Sequence, residues 1–171
     1  MSKNYFIGDC HFSHNDIHKR FRINFSSDEE HDAVIYENIM ACAGKRNQLW
    51  LLGDVFFKPD SFWRLNEFSK NFQNVNYLLG NHSNKGISKY AAQFDNVHIF
   101  GIQSKYGAWI SHAPVHPDEL RSRVNVHGHT HNIVMLDSNG EIDKRYYCVS
   151  CEQVGYRPIS LEQIKEERGW K

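Results

Sequence analysis

In Tyr5-Phe6-Ile7-Gly8-Asp9-Cys10-His11 a short apolar run ends in a carboxylate and an imidazole, which is the pattern that organises the rest of the chain. The arrangement recurs: apolar runs also precede four further polar clusters, at Gly53-Asp54, Gly80-Asn81-His82, His112 and Gly128-His129-Thr130-His131. Short runs rich in aromatic and branched residues are typical of buried strands. Since ligands bind beyond the carboxyl ends of strands in open α/β sheets, we expect these polar clusters to share one crevice.

Helix signals separate the first strands. Ser27 and Glu30 form a capping box before a helix that Gly44 ends, Pro59-Asp60 starts a second helix, and Ile87 to Phe94 marks a third. From Val97 onward short strands dominate, with an Asn-Gly hairpin signal in Asp137-Ser138-Asn139-Gly140 between strands at 133–136 and 146–149. The order predicts an α/β protein with two sheets packed face to face and helices outside, as one domain over residues 1–171.

Composition limits the function classes. Twenty basic residues balance twenty acidic ones, so the chain lacks the basic excess that is typical of proteins that bind nucleic acid duplexes. No apolar run reaches the ~20 residues that a membrane span needs, and Met1-Ser2-Lys3-Asn4 leads into a strand without a signal region. We therefore expect a cytoplasmic protein whose four cysteines remain thiols, Cys148 and Cys151 included.

The polar clusters have the composition of an open metal site. Aspartate, asparagine and histidine without thiolate suit Mn²⁺, Fe²⁺, Zn²⁺ or Ni²⁺. Because residues i and i+2 of a strand share a face, we expect Asp9 and His11 to reach one ion while Cys10 points into the packing, and His129 and His131 to repeat this geometry. Two ions about 3.5–4 Å apart need an anionic bridge, and we assign that role to Asp54.

In combination, the clusters resemble the pattern DxH, GD, GNH, H, GHxH of the calcineurin-like metallophosphoesterases. The order is the same, and the resemblance spans residues 5–131. It is strongest to the small phage and bacterial branch, through the stretch from Asp9 to Ile17 and the closing Tyr156-Arg157-Pro158-Ile159-Ser160-Leu161. The resemblance implies a four-layer α/β/β/α sandwich of two mixed sheets, with a dinuclear metal site at the carboxyl ends of the strands.

The resemblance also implies a role for each residue of the polar clusters. His82 matches the family histidine that faces the substrate and protonates the leaving alkoxide or stabilises phosphoryl charge. Ser83 stands where many members have an acid, so the partner of His82 is left open. The first ion would take Asp9, His11, Asp54 and His131, and the second Asp54, Asn81, His112 and His129.

These residues predict a hydrolase of phosphoric ester bonds that uses two divalent ions, with Mn²⁺ first among the candidates. A water bridging the two ions would lose its proton and attack phosphorus in line with the leaving oxygen. We expect a small monoester or diester substrate of nucleotide type. The alternatives are a nuclease acting on nucleic-acid ends, which the neutral charge does not favour, and a scaffold whose metal site has decayed.

Three residues near the first polar cluster are candidates for substrate contact. Arg20 and Arg22 carry guanidinium groups that can clamp a phosphate, although a solvated basic helix end is an equal reading. His14 lies one turn from His11 and could touch the same phosphate or cap local structure. Aromatic residues near the second cluster could stack on a nucleobase, but we favour a core position for them; they are Phe56, Phe57, Phe62 and Trp63.

Overall fold

The structure is a computed structural model that describes residues 2–170. These residues form five α-helices and nine strands; helices and strands are interspersed in the first half of the sequence, and strands dominate the second. The helices are α1 (Ile17–Arg20), α2 (Asp28–Met40), α3 (Trp63–Asn71), α4 (Ile87–Ala91) and α5 (Leu161–Arg168). The strands are β1 (Asn4–Gly8), β2 (Gly44–Leu52), β3 (Phe72–Leu78), β4 (Val97–Phe100), β5 (Ile102–Lys105), β6 (Ala108–Ser111), β7 (Val124–His127), β8 (Tyr146–Cys148) and β9 (Ile159–Ser160).

The strands form two mixed sheets. The larger has the order β4-β3-β2-β1-β9, in which the first four strands are parallel and β9 is antiparallel to β1. The smaller has the order β5-β6-β7-β8, with β6, β7 and β8 parallel. Parallel neighbours end at the same edge of a sheet, so the segments that follow β1, β2, β3, β6 and β7 start from two adjacent edges.

Alternation along β1, β2 and β3 divides the core in two. Ile7, Leu51 and Tyr77 face the helices and pack with residues of α2, α3 and α4. Their neighbours Phe6 and Leu52 face the smaller sheet, where they meet Ile110, Val126 and Val149. The C-terminal parts of β1, β2 and β3 are therefore buried on both faces, as their near-continuous apolar runs predict.

The prediction of two packed sheets with helices is confirmed, but the four-layer order is not. Leu161 and Ile164 of α5 belong to the core between the sheets and do not form a separate layer outside the smaller sheet. The capping box of α5 is present, because Ser160 Oγ accepts from the Gln163 amide and the Gln163 side chain accepts from Ser160. At the start of α2 the hydroxyl of Ser27 accepts from the Glu30 amide, but the Glu30 carboxylate accepts from Ser26 and not from the Ser27 amide, so the predicted capping box there is only half formed.

One predicted strand is wrong. Residues 133–136 form no regular strand, and pairing is limited to a single bridge between Leu136 and Ile142 around a turn in which the Gly140 amide donates to Asp137. Several apolar side chains of this hairpin are exposed, so it lacks the buried face that stabilises a longer ladder. They are Ile133, Val134, Leu136 and Ile142.

The described residues include no helix with the length and apolar character that a membrane span requires.

Candidate metal centre

The first polar cluster turns sharply as β1 ends. Asp9 and His11 both have φ of 53°, in the left-handed region that residues with a side chain rarely adopt. His129 and His131 repeat this conformation after β7, with φ of 71° and 49°. The expectation that strand alternation places these pairs is therefore wrong: the strands end at Gly8 and His127, and the turns that follow aim the side chains.

Ligand atoms of the polar clusters converge in two overlapping groups. Atoms of Asp9, His11 and His131 all lie within 4.8 Å of one another, and so do atoms of Asp9, Asp54 and His112. The rings of His11 and His131 have centroids 5.4 Å apart. Five side chains from segments far apart in sequence thus meet at the edge where both sheets end.

Three polar atoms surround Nε2 of His112, the histidine of the second group. Asn81 Oδ1 lies 2.8 Å from it, His129 Nδ1 3.1 Å and Asp54 Oδ2 3.6 Å. Oxygen and nitrogen lone pairs that point at one another repel unless a proton or a cation lies between them. A cation with several ligands is the more complete solution, since one proton on His112 Nε2 satisfies only one acceptor.

Glycines allow this close approach. Gly53, which precedes Asp54, has φ of 86°, and a Cβ there would overlap the ring of His112. A Cβ at Gly80 would overlap the carboxylate of Asp54. The glycines of these polar clusters are therefore required by contact with the neighbouring cluster.

Unpartnered atoms show that the donor set fits a metal ion. Asp9 Oδ1, both ring nitrogens of His11 and Nδ1 of His112 are buried and make no hydrogen bond to any described residue. Burial lowers the pKa of His11 to about 2, and a neutral imidazole is the form that binds metal. Burial also raises the pKa of Asp9, so its anionic form lacks a compensating charge that a divalent cation would supply.

Hydrogen bonds to one oxygen of each carboxylate fix the orientation of Asp9 and Asp54. Asp9 Oδ2 accepts from Ser150 Oγ at 2.7 Å and from the His129 amide at 2.8 Å, which leaves Oδ1 toward the two groups. Asp54 Oδ1 accepts from the His82 amide at 2.8 Å. Both side chains are buried, whereas His129, Asn81 and His82 are exposed, so the carboxylates form the floor of the site and these residues its rim.

Arg22 supports this floor, and its burial and internal pairing do not favour the predicted phosphate contact. Its guanidinium is 1% exposed and makes four hydrogen bonds within the protein. Two reach the backbone carbonyls of Asp9 and Cys10, inside the left-handed turn. The other two reach His31 Nε2 and Glu152 Oε1. Arg22 therefore stabilises the strained backbone of the first polar cluster.

Glu152 is a site residue that the sequence did not reveal. Its Oε1 accepts from Arg22 Nε at 2.9 Å and lies 3.1 Å from His131 Nδ1. Burial alone would raise the pKa of Glu152, but His131 and Arg22 together lower it to about 2. A carboxylate on Nδ1 leaves Nε2 of His131 as the atom that can bind a metal. No motif marks Glu152, since its partner Arg22 lies 130 residues away in sequence.

The remaining candidates have different positions. Arg20 is exposed at the end of α1. His14 is half-buried, with its ring centroid 4.2 Å from that of Phe57, and both side chains line a cavity of 450 Å³ beside the metal centre. Cys10 is fully buried in the core on the helix side, and Cys148 and Cys151 are buried thiols. Phe56 and Phe62 belong to the core, whereas Trp63 is 47% exposed.

One solved structure shares the fold over nearly the whole chain. A protein of unknown function from Aquifex aeolicus aligns with a TM-score of 0.69 and 24% identity over 98% of this chain and 100% of its own. Phosphopantetheinyl hydrolase PptH from Mycobacterium tuberculosis gives a TM-score of 0.41 and 17% identity over 64% of this chain and 41% of its own. Nuclease MPE from Pseudomonas putida gives 0.49 and 15% over 81% and 66%. No protein-family model and no curated protein matches the sequence.

The contact between Glu152 and His131 predicts a loss of metal affinity in Glu152→Ala. Without the carboxylate, His131 is no longer held in one orientation, and we expect Mn²⁺ affinity measured by calorimetry to fall about 10–100-fold. Glu152→Gln keeps an oxygen that accepts from Nδ1 and should lose less. Glu141→Ala, in the exposed hairpin turn, is the matched control; equal affinities in all four proteins would contradict the role of Glu152.

The burial of His31 predicts that the free energy of unfolding of the metal-free protein depends on pH. Burial lowers its pKa, so the unfolded chain binds a proton at His31 that the folded chain does not. Stability is therefore lost as the pH falls below about 6.5, with a slope of up to about 1.4 kcal/mol per pH unit for this group. Urea unfolding with a chelator should show a smaller slope for His31→Asn than for wild type. The exposed His98→Asn should keep the wild-type slope, and parallel curves for His31→Asn would refute the prediction.

Proposed function

We propose that this protein is a metal-dependent phosphoesterase that hydrolyses a small nucleotide-type monoester or diester with two divalent ions at the metal centre. The observation that carries the proposal is the convergence of unpartnered carboxylate and imidazole atoms at one edge of both sheets. A donor set of oxygen and nitrogen without thiolate favours Mn²⁺, with Ni²⁺, Fe²⁺ and Zn²⁺ as further candidates.

The proposed ligands extend the two groups of converging atoms. Asp9 belongs to both groups and Asp54 to the second, and we propose Asp54 as the ligand shared by the two ions, with Asp9 as the other carboxylate within reach of both groups. Their positions on a buried floor give the carboxylates little freedom to leave the ions. One ion would be held by Asp9, His11, Asp54 and His131, and the other by Asp54, Asn81, His112 and His129.

When bound, a pair of divalent ions supplies a water acidic enough to attack phosphorus and positive charge for the nonbridging oxygens. The protein's own groups position the rest. His82 is exposed at the rim, and its backbone amide is fixed by Asp54, so its ring stands beside the site without being part of either group. From there an imidazolium can donate a proton to the leaving oxygen, which is the role we propose for it.

Charge separates this proposal from a nuclease that binds long strands. Neutralising several backbone phosphates needs a row of free Lys or Arg side chains. Arg22 is committed to four internal hydrogen bonds, and Lys58 Nζ donates to Asn15 Oδ1. These two side chains are therefore not free to bind phosphates of a long strand. A decayed scaffold is not favoured either, because the floor and the rim of the site are both in place.

The proposed role of His82 predicts a selective loss of turnover. In His82→Ala the backbone amide that holds Asp54 remains, so we expect two Mn²⁺ ions to bind as in wild type. Without the proton donor, kcat should fall by about 10²–10⁴-fold on esters with poor leaving groups.

The control is His98→Ala, on the exposed edge of the larger sheet, which should retain wild-type kcat. Unchanged kcat in His82→Ala would remove the role of this residue. Absence of turnover by the wild-type protein with each of Mn²⁺, Ni²⁺ and Zn²⁺, on monoesters and diesters alike, would overturn the proposed function.

A further inference from the structure

The cavity beside the metal centre has two unlike walls. It encloses 450 Å³, within the range of small-molecule sites, and His11, His131 and His82 form its polar wall. Ile17, Phe21 and Phe57 form an apolar wall next to these residues. A substrate whose phosphorus lies at the metal centre therefore has an apolar surface next to one of its ester arms.

Aromatic rings dominate the apolar wall. Phe57 is half-buried, and its centroid lies 4.2 Å from that of His14, 5.9 Å from that of His11 and 6.2 Å from that of His82. Phe21 is 69% exposed and lies edge-on to His14, with centroids 6.2 Å apart. An exposed phenyl ring at the mouth of a cavity leaves apolar area for a ligand to cover.

The position of Phe57 relative to His82 indicates which ester group of the substrate the aromatic wall would contact. His82, the proposed proton donor to the leaving oxygen, lines the same cavity and is the next ring beyond Phe57. A group bound against Phe57 would therefore belong to the leaving alcohol.

The side chains that line the cavity do not favour a leaving alcohol that carries a further phosphate group against the apolar wall. Among the described residues that line it, Arg22 is the only Lys or Arg, and its guanidinium is 1% exposed and engaged with Asp9, Cys10, His31 and Glu152. Glu152 adds an acidic group. A neutral flat ring fits such a wall, whereas a polyphosphate or a nucleic-acid strand would meet no free Lys or Arg side chain among the lining residues.

We propose that Phe57 and Phe21 form a subsite for a nucleobase carried by the leaving alcohol, so that the preferred substrates are phosphoesters whose leaving group is a nucleoside. This deepens the proposed phosphoesterase function and rests on it. Base stacking on an aromatic side chain tolerates all four bases, because each has a π face. The subsite therefore predicts selectivity for a base over none, with weak selectivity among bases.

The test compares esters that share a leaving oxygen and differ in the base. Thymidine 5′-monophosphate and 2-deoxyribose 5-phosphate both release a primary 5′ alcohol, and their 5′-methyl diesters form a second matched pair. With the Mn²⁺-loaded protein, kcat/KM should be at least about tenfold higher for the base-bearing member of whichever pair is hydrolysed.

Two variants locate the selectivity. Phe57→Leu keeps an apolar side chain of similar size but removes the ring, and Phe21→Ala removes the exposed ring. Each should lower the ratio of kcat/KM between the paired esters, and the double variant should bring it close to one. Ile133→Ala, an equally exposed apolar residue on the hairpin of residues 133–142, should keep the wild-type ratio.

The outcomes separate this inference from the proposed function. Turnover of both esters with a wild-type ratio near one, or a ratio that the double variant leaves unchanged, would overturn the nucleobase subsite while the phosphoesterase function stands. If neither pair is hydrolysed, ligand binding is measured by NMR instead. Adenosine should then shift the aromatic signals of Phe57 and Phe21, and ribose should not. Absence of those shifts would overturn the subsite independently of catalysis.

Discussion

The Asp9 carboxylate is the contact on which the rest of the site depends, because it joins the two sheets at the edge where their strands end. Asp9 follows β1 of the larger sheet, and its Oδ2 accepts from the amide of His129 after β7 and from Ser150 after β8. Backbone hydrogen bonds continue this junction, since the Gly8 amide donates to Val149 and the Cys151 amide donates to Gly8. Its Oδ1 is buried without a hydrogen-bond partner among the described residues, and Asp9 belongs to both groups of converging ligand residues. One fully buried side chain therefore both connects the two sheets and supplies a candidate metal ligand.

This junction requires an unfavourable backbone, and the surroundings compensate for it. Left-handed conformations at non-glycine residues cost about 1–2 kcal/mol each, and four proposed metal-binding residues adopt them. Arg22 offsets part of this cost through its bonds to the carbonyls of Asp9 and Cys10. The remaining neighbours of Arg22, among them His31 and Glu152, keep that guanidinium buried and paired. A cation bound at the site would add stabilisation that the metal-free protein lacks.

Local patterns in the sequence predict the alternation of strands and helices, the two sheets and the residues that line the site. Periodicity marks strands such as β1, and the polar clusters mark their ends. The turn geometry at Asp9 and His11 was not predictable from strand alternation, because left-handed conformations at non-glycine residues have no reliable sequence signal. Arg22 was assigned to a substrate because the sequence cannot show that it is buried. Glu152 and His31 were missed because their contacts are tertiary, and the hairpin at 133–142 kept its turn but not its strands because its apolar residues are exposed.

The most direct test of the account is a crystal structure of the Mn²⁺-loaded protein with anomalous diffraction data at the manganese edge. The account predicts two anomalous peaks about 3.5–4 Å apart. One should lie against His11 and His131 and the other against Asn81, His112 and His129, with the Asp54 carboxylate in contact with both. A single peak, peaks only outside this edge of the sheets, or an Asp54 carboxylate turned away from the metal would contradict the account.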